Sequence, residues 1–255
     1  MAGQRGAGTV FFGGCNLGCG YCQNRQISRR EIALPELDAE ALAERLLALA
    51  AQGCHNIAFV TPSHLVPQLL AALAHARAGG LDLPIVYNSG GYDAVEVLRA
   101  LEGVVDVYLP DLKYASSATA AELSQASDYW PVATAAVREM LRQVGGLQCD
   151  SAGIAQRGVI VRHLVLPNDL AGSEDVLAFL ASLEPRPAVS LMAQFYPIPA
   201  CDHPLLQRRI SAAELARAAA RLAALGFEQG WVQELEAAEL WRPDFRRPDP
   251  FAAQE

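Results

Sequence analysis

The chain has 255 residues, 52% of them hydrophobic, which is enough for one large core or two modest ones, and a single α/β domain is the simpler reading. Charged residues make up 19%, the formal net charge is -8, and the basic side chains are scattered without forming a stripe, which argues against nucleic acid as the main partner. No apolar run reaches the roughly 18 residues of a membrane span, and the N-terminal MAGQRGAG lacks the apolar stretch of a signal peptide. The expected setting is therefore the cytoplasm, with no membrane partner.

Short apolar, β-branched or aromatic runs alternate with longer stretches of helical period, the pattern of βα units around a parallel sheet. In chain order the pattern predicts a strand over 9–12 (TVFF), a helix over 35–51, a strand over 56–60 (NIAFV) and a helix over 65–77. A strand over 84–88 (PIVYN), a helix over 94–101, a strand over 105–109 (VDVYL) and a helix over 133–144 follow. The last units are a strand over 159–165 (VIVRHLV), a helix over 174–183, a strand over 189–194 (VSLMAQ) and a helix over 212–225. The strands read apolar almost throughout, so both faces should be covered. Right-handed crossovers then roll the six units into a partial (β/α)6 barrel.

Asp38 is placed to cap the first long helix and Gly53 to end it, and Gly226 ends the last. Residues 145–158 form a Gly-rich connection. The chain divides into one domain over 1–240 and a Pro-rich, charged tail over 241–255, which should be loosely ordered.

Six cysteines in a reducing compartment are expected to be ligands, catalytic groups or buried small hydrophobes in preference to disulfides. Three of them, Cys15, Cys19 and Cys22, form a CxxxCxxC run directly after the first strand. Loops after strands build the active site in parallel sheets and barrels. Closely spaced thiolates suit iron-sulfur clusters, zinc or copper(I), and the glycines at 13, 14, 18 and 20 let the backbone wrap round a bulky ion. Three ligands leave one metal position unfilled. For zinc the fourth would be Cys54, His55 or His64; for a cubane the fourth iron would be free to bind a small molecule. Cys54 reads as helix-to-strand packing, and Cys149 and Cys201 as loop residues without ferredoxin-like spacing. A non-catalytic zinc or iron-sulfur electron-transfer protein is the competing reading. Lys113 is the only lysine among twenty basic side chains, so either an ammonium is required at that position or one lysine has survived by chance.

With Tyr21 just before Cys22, the motif resembles that of radical S-adenosylmethionine (radical SAM) enzymes. GTVFFGGCNLGCGYCQNRQIS, HNIAFVTPSHLVPQ, LPIVYNSGGYD, VDVYLPDLKYA and RGVIVRHLVLP are similar to the pyruvate formate-lyase activating enzyme-like subgroup, and the likeness runs from about residue 6 to residue 225. The resemblance implies a radical SAM partial barrel, with three irons of a [4Fe-4S] cluster on Cys15, Cys19 and Cys22 and the fourth chelating the amino and carboxylate groups of S-adenosyl-L-methionine. It implies an oxidoreductase like the [formate-C-acetyltransferase]-activating enzyme, which reductively cleaves this cofactor to a 5'-deoxyadenosyl radical for hydrogen abstraction. A one-electron donor such as flavodoxin or ferredoxin, and a glycyl radical enzyme as the target, are the partners it implies.

The same resemblance assigns the other strand ends. Tyr21 would approach the adenine. Thr61 to His64 stand where most of the family has a Gly-Gly-Glu segment for the amino group of the cofactor. No carboxylate is available there, so Thr61, Ser63 or backbone carbonyls would have to accept those N–H groups. His64 itself reads first as a capping or surface histidine. Asn88 and Ser89 would reach the ribose and a nearby cation. Asp111 and Lys113, in a segment like the family's DLK, should face one side if strand alternation persists, with a mutual surface ion pair as the plainer reading. Arg162, inside an apolar strand, needs a partner, either a bound carboxylate or Asp111. Gln194 to Pro197 suit adenine contacts or rim packing.

Overall fold

A computed structural model describes residues 3–240, 243–247 and 249–251. Seven strands run parallel in one open sheet in the order β1 (Gly8–Phe11), β2 (Ile57–Val60), β3 (Ile85–Ser89), β4 (Val107–Pro110), β6 (Ala155–Leu164), β7 (Ala188–Met192) and β8 (Gly230–Val232). The eighth, β5 (Gln148–Cys149), pairs antiparallel with β6. β1 and β8 stand at the two edges, so the barrel is partial. The helices are α1 (Arg25–Ser28), α2 (Ala39–Ala51), α3 (Val66–Ala78), α4 (Val95–Ala100), α5 (Ser117–Ser124), α6 (Tyr129–Val144), α7 (Ser173–Ala181), α8 (Ala212–Ala224) and α9 (Ala237–Leu240). None of the described helices is long and apolar enough to cross a membrane.

Both faces of the sheet are apolar, as the strand sequences require, but they differ in size. Ile57, Phe59, Ile85, Tyr87 and Tyr108 point outward into the layer covered by α2, α3, α4 and α6. Truncating one of these buried aromatics costs about 3–5 kcal/mol. Ala58, Val86, Val107, Ile160 and Ala188 point inward. Small side chains on the concave face leave the barrel hollow where the aromatic face is solid. That asymmetry, set by alternation along each strand, creates room for a ligand.

All six predicted strands form, and the predicted helices shift mainly at their starts. The first long helix begins at Ala39 in place of residue 35, because Asp38 Oδ1 accepts from Ala41 N at 2.9 Å and fixes the N-cap. Gly53 follows with φ +83°, the left-handed turn expected of its terminus. The helix predicted over 133–144 begins earlier, at Tyr129, because Pro131 falls in the first turn, where no intrahelical N–H is needed. The Gly-rich stretch 145–158 is not merely a connection. Asp150 Oδ1 accepts from Ala152 N and Ile154 N, both at 2.9 Å, and turns the chain from β5 into β6.

His163 ties the barrel wall together. It is fully buried, donates from Nδ1 to Leu112 O at 2.7 Å and accepts at Nε2 from the Ser173 hydroxyl at 2.9 Å. Burial pushes its pKa down, so the ring is neutral and structural.

The described residues of the tail depart from expectation. Phe245 and Phe251 pack on Phe11 of β1, with ring centroids 5.1 and 5.7 Å away. Gln26 donates to Asp244 Oδ1 at 2.9 Å and accepts from Phe245 N at 2.6 Å. These described tail residues are held by aromatic ring contacts and paired polar groups. Trp241, Arg242, Pro248 and residues 252–255 lie outside the described residues.

Candidate active site

The loop after β1 is stitched down on three sides. Gly14 N donates to Ile27 O at 3.0 Å, and Gly18 N and Gly20 N donate to Ser124 O and Leu123 O at 2.8 and 2.9 Å. Cys19 is therefore clamped between two backbone bonds to the C-terminal turn of α5. Gly18 is required there, since a Cβ would come within 2.5 Å of the Gln125 side chain. On the third side, His64 Nε2 donates to Gly13 O at 2.8 Å. His64 is thus not a helix cap but a half-buried histidine with its Nε2 satisfied, and it tethers the cysteine loop to the end of β2.

Each thiol has a donor close by. Leu17 N lies 3.4 Å from Cys15 Sγ, Ser28 Oγ 3.3 Å from Cys22 Sγ, and the Ser124 hydroxyl 2.9 Å from Cys19 Sγ. Burial pushes the Cys15 and Cys19 thiols up, and the nearby Lys113 charge opposes it. All three thiols line one cavity of about 410 Å³ on the hollow side of the sheet. Among the described residues no trio of His, Cys, Asp or Glu side chains is gathered about a point as a single metal ion requires. The thiols instead share the wall of a common space. Three soft donors on the wall of one cavity are a donor set that a cubane with one open iron would take.

Opposite the thiols the ends of β4 and β6 bring charge. Asp111 Oδ2 lies 2.5 Å from Lys113 Nζ, and Asp111 Oδ1 lies 2.6 Å from Arg162 Nη2. Asp111 and Lys113 do face one side, and they do pair, but within the cavity wall and not on the outer surface: their side chains are only 11% and 18% exposed. Burial alone would raise the Asp111 carboxyl, yet Arg162 and Lys113 outweigh it and hold it below the usual carboxylate range. Burial alone would lower Lys113, yet Asp111 outweighs it and holds the ammonium protonated. The three groups carry one net positive charge. Close approach of the strand ends depends on Gly91, whose φ is +76° and whose Cβ would fall 2.0 Å from Asp111 O.

At the end of β2 and β3 the resources are mostly backbone. Thr61 has φ +59°, uncommon for a β-branched residue, and its N–H donates to Asn88 O at 2.8 Å. Ser89 donates to Asp93 Oδ2 at 2.6 Å, and Tyr87 donates to Asp93 Oδ1 at 2.9 Å. Ser89 is thereby largely committed to structure.

Of the residues expected at the site, Cys15, Cys19, Tyr21, Cys22, Thr61, Asn88, Ser89, Asp111, Lys113 and Arg162 all line the cavity. Ser63 does not; its hydroxyl sits beside Tyr87 and Asp93, on the other side of the strand end. Gln194 does, held by Gln23, which donates to Gln194 O at 2.7 Å. The sequence reading missed Pro243 and Phe251, which reach the cavity from the tail, and Ser28 and Ser124, which sit on the thiols. Ser28 carries a weak signal, lying six residues after Cys22; Ser124 carries none.

The family model for the radical SAM superfamily matches residues 9–180. An uncharacterized protein of Methanocaldococcus jannaschii is 29% identical over 218 residues, which are 82% of this chain and 60% of that protein. This chain thus spans about three fifths of that relative's length. Among solved structures, the FeFe-hydrogenase maturase HydG from Carboxydothermus hydrogenoformans superposes with a TM-score of 0.62 at 14% identity, covering 89% of this chain and 52% of HydG. A domain of pyruvate-formate lyase-activating enzyme from Bacteroides vulgatus superposes with a TM-score of 0.51 at 14% identity, covering 70% of this chain and 99% of that domain. At such identities the two structures establish the fold, and they do so for more than one subgroup. With the open parallel sheet, the cysteine loop after β1 and a family match over most of the chain, the protein belongs to the radical SAM superfamily, whose cofactors are a [4Fe-4S] cluster and S-adenosyl-L-methionine.

Proposed function

We propose that Cys15, Cys19 and Cys22 hold three irons of the cluster and that the chain is an oxidoreductase acting through reductive cleavage of S-adenosyl-L-methionine. What supports this reading is that the three thiols open onto the same cavity as the Asp111, Lys113 and Arg162 side chains. When bound, the cluster and S-adenosyl-L-methionine supply a 5'-deoxyadenosyl radical that abstracts hydrogen from a substrate. The chain's own residues bind, orient and exclude water. Lys113 and Arg162 suit a carboxylate, and Asp111, kept ionised between them, suits ribose hydroxyls or an ammonium. Asn88 suits the ribose, Tyr21 the adenine side, and Thr61 with its backbone the amino group. Ser89 and Ser63 serve these contacts indirectly, through Asp93. The apolar floor of Ala58, Val86, Leu109 and Met192 keeps water from a reactive centre.

The finer reading is a pyruvate formate-lyase activating enzyme-like protein, in the cytoplasm, with residues 1–240 as one catalytic domain. Its electron donor would be a flavodoxin or ferredoxin and its target a glycyl radical enzyme. The DLK-like segment at Asp111 to Lys113 and the VIVRHLVLP strand carry that likeness.

Anaerobic reconstitution with iron and sulfide tests the function. The expected result is a brown protein that, once reduced, converts S-adenosyl-L-methionine to 5'-deoxyadenosine. A colourless protein with one tightly bound zinc and no cleavage overturns it. Abstraction carries the target's hydrogen into 5'-deoxyadenosine, so incubating the reduced protein with the protein and the small-molecule fractions of a deuterated lysate then tests the target: deuterium in 5'-deoxyadenosine from the protein fraction supports the glycyl radical partner, and deuterium from the small-molecule fraction alone rejects it.

A further inference from the structure

Ser124 ends α5, is fully buried and points its hydroxyl at Cys19 Sγ across 2.9 Å. Behind it stands a row of hydroxyls. Tyr114 OH lies 2.7 Å from Ser124 Oγ, and Tyr21 OH lies 2.5 Å from Tyr114 OH. Tyr114 is fully buried and Tyr21 is 6% exposed. A metal-bound sulfur carries no proton and can only accept, so the direction of the row is fixed: Ser124 donates to Cys19, Tyr114 to Ser124, and Tyr21 to Tyr114. Every O–H dipole then points toward the sulfur. The other two thiols differ. Cys15 receives a backbone N–H at 3.4 Å, and Cys22 has the half-buried Ser28 at 3.3 Å, with no hydroxyl row behind either among the described residues.

We propose that Ser124, with Tyr114 and Tyr21 behind it, is a positioning residue that sets the reduction potential of the cluster through Cys19. The inference rests on the reading that Cys19 holds iron. A donor to a ligand sulfur stabilises the form with more negative charge, which is the reduced cluster, so it makes one-electron reduction easier. Aligned hydroxyls in a buried site polarise one another and strengthen the last bond of the row. The geometry also explains why α5 grips the loop so firmly: the backbone bonds of Gly18 and Gly20 to Ser124 and Leu123 hold the acceptor sulfur in line with its donor.

The experiment is an anaerobic dithionite titration of the full chain with its cluster, followed by EPR and visible absorbance, with iron content and far-UV circular dichroism as controls. Ser124→Ala should shift the reduction equilibrium against the reduced form about tenfold, which for a one-electron couple is about 59 mV. Ser124→Thr keeps the hydroxyl and should restore most of the shift. Tyr114→Phe should move the potential the same way by less, and Tyr21→Phe by less again, so the effect falls with distance along the row. Ser28→Ala should shift it less than Ser124→Ala. A loaded Ser124→Ala protein with an unchanged potential overturns the proposal. Should Ser124→Ala fail to load, Tyr114→Phe decides, and an unchanged potential there overturns it equally. Failure of the underlying function looks different: the unaltered chain would not assemble a cluster, or Cys19→Ala would keep it.

Discussion

The ends of β2 and β4 face one cavity with opposite resources. β4 and its neighbour β6 contribute charged side chains, Asp111 flanked by Lys113 and Arg162. β2 contributes a Thr61 backbone bent to φ +59° and a histidine, His64, that holds the cysteine loop by its ring. On the proposed reading, recognition on the β4 side depends on which side chains are present, and on the β2 side on where the main chain is held. A locked backbone would then serve where the family resemblance leads one to expect a carboxylate.

The sharpest break removes what both ends surround. Cys19→Ala should abolish both iron loading and S-adenosyl-L-methionine cleavage, whereas Cys201→Ala, in a buried spot away from the cavity, should leave both nearly intact. Iron analysis and 5'-deoxyadenosine yield check the pair, and a large loss in the Cys201 variant would mean that the second half of the chain serves the cluster.

Next in size is the charged end. Asp111→Asn leaves two cations facing each other in a mostly buried wall, and about 3 kcal/mol of stability should go with it, measured by chemical denaturation. The same carboxyl predicts the acid limb. Its pKa is lower in the folded chain than in the unfolded one. The stability it contributes is complete above the ordinary carboxylate range and is lost as pH falls through the folded value. Asp111→Asn should therefore flatten the loss of stability on acidification; an unchanged slope would show that other carboxylates control it.

Smaller effects sharpen the β2 side. His64→Ala removes one bond to Gly13 O, worth about 1 kcal/mol, and should also slow cluster assembly, read as iron retained after a timed reconstitution. Thr61→Gly relieves a left-handed β-branched residue, so stability should rise by up to about 1 kcal/mol. Binding of S-adenosyl-L-methionine to that variant, by calorimetry, should stay within threefold of the original. A tenfold loss would mean that the Thr61 side chain does the work, and the contrast between the two ends would fail.

The fold was legible because buried parallel strands write continuous apolar runs such as NIAFV and VIVRHLV, which local pattern alone reveals. Asp111, Lys113 and Arg162 were legible for a related reason: charge inside or just beyond such a run must find a partner. The short elements were not. β8 is three exposed residues, GWV, and α5 is an eight-residue segment, SATAAELS, with little apolar periodicity. Missing α5 meant missing Ser124, whose partner Cys19 is remote in sequence. The tail misled by composition. Prolines and charges suggest a loose segment, yet Phe245 and Phe251 find Phe11 at the other end of the chain. Long-range pairing of a few side chains leaves no periodic trace.

Lys113 is the only lysine, and it sits in the cavity wall with its ammonium against Asp111. Any amine-directed reagent therefore has a single side-chain target in the whole chain, and that target reports on one chamber. Because the paired ammonium resists deprotonation, modification should be slow, and slower still when a ligand fills the space beside it. Mass spectrometry of one peptide then becomes a footprint of cavity occupancy, with no need to engineer a probe.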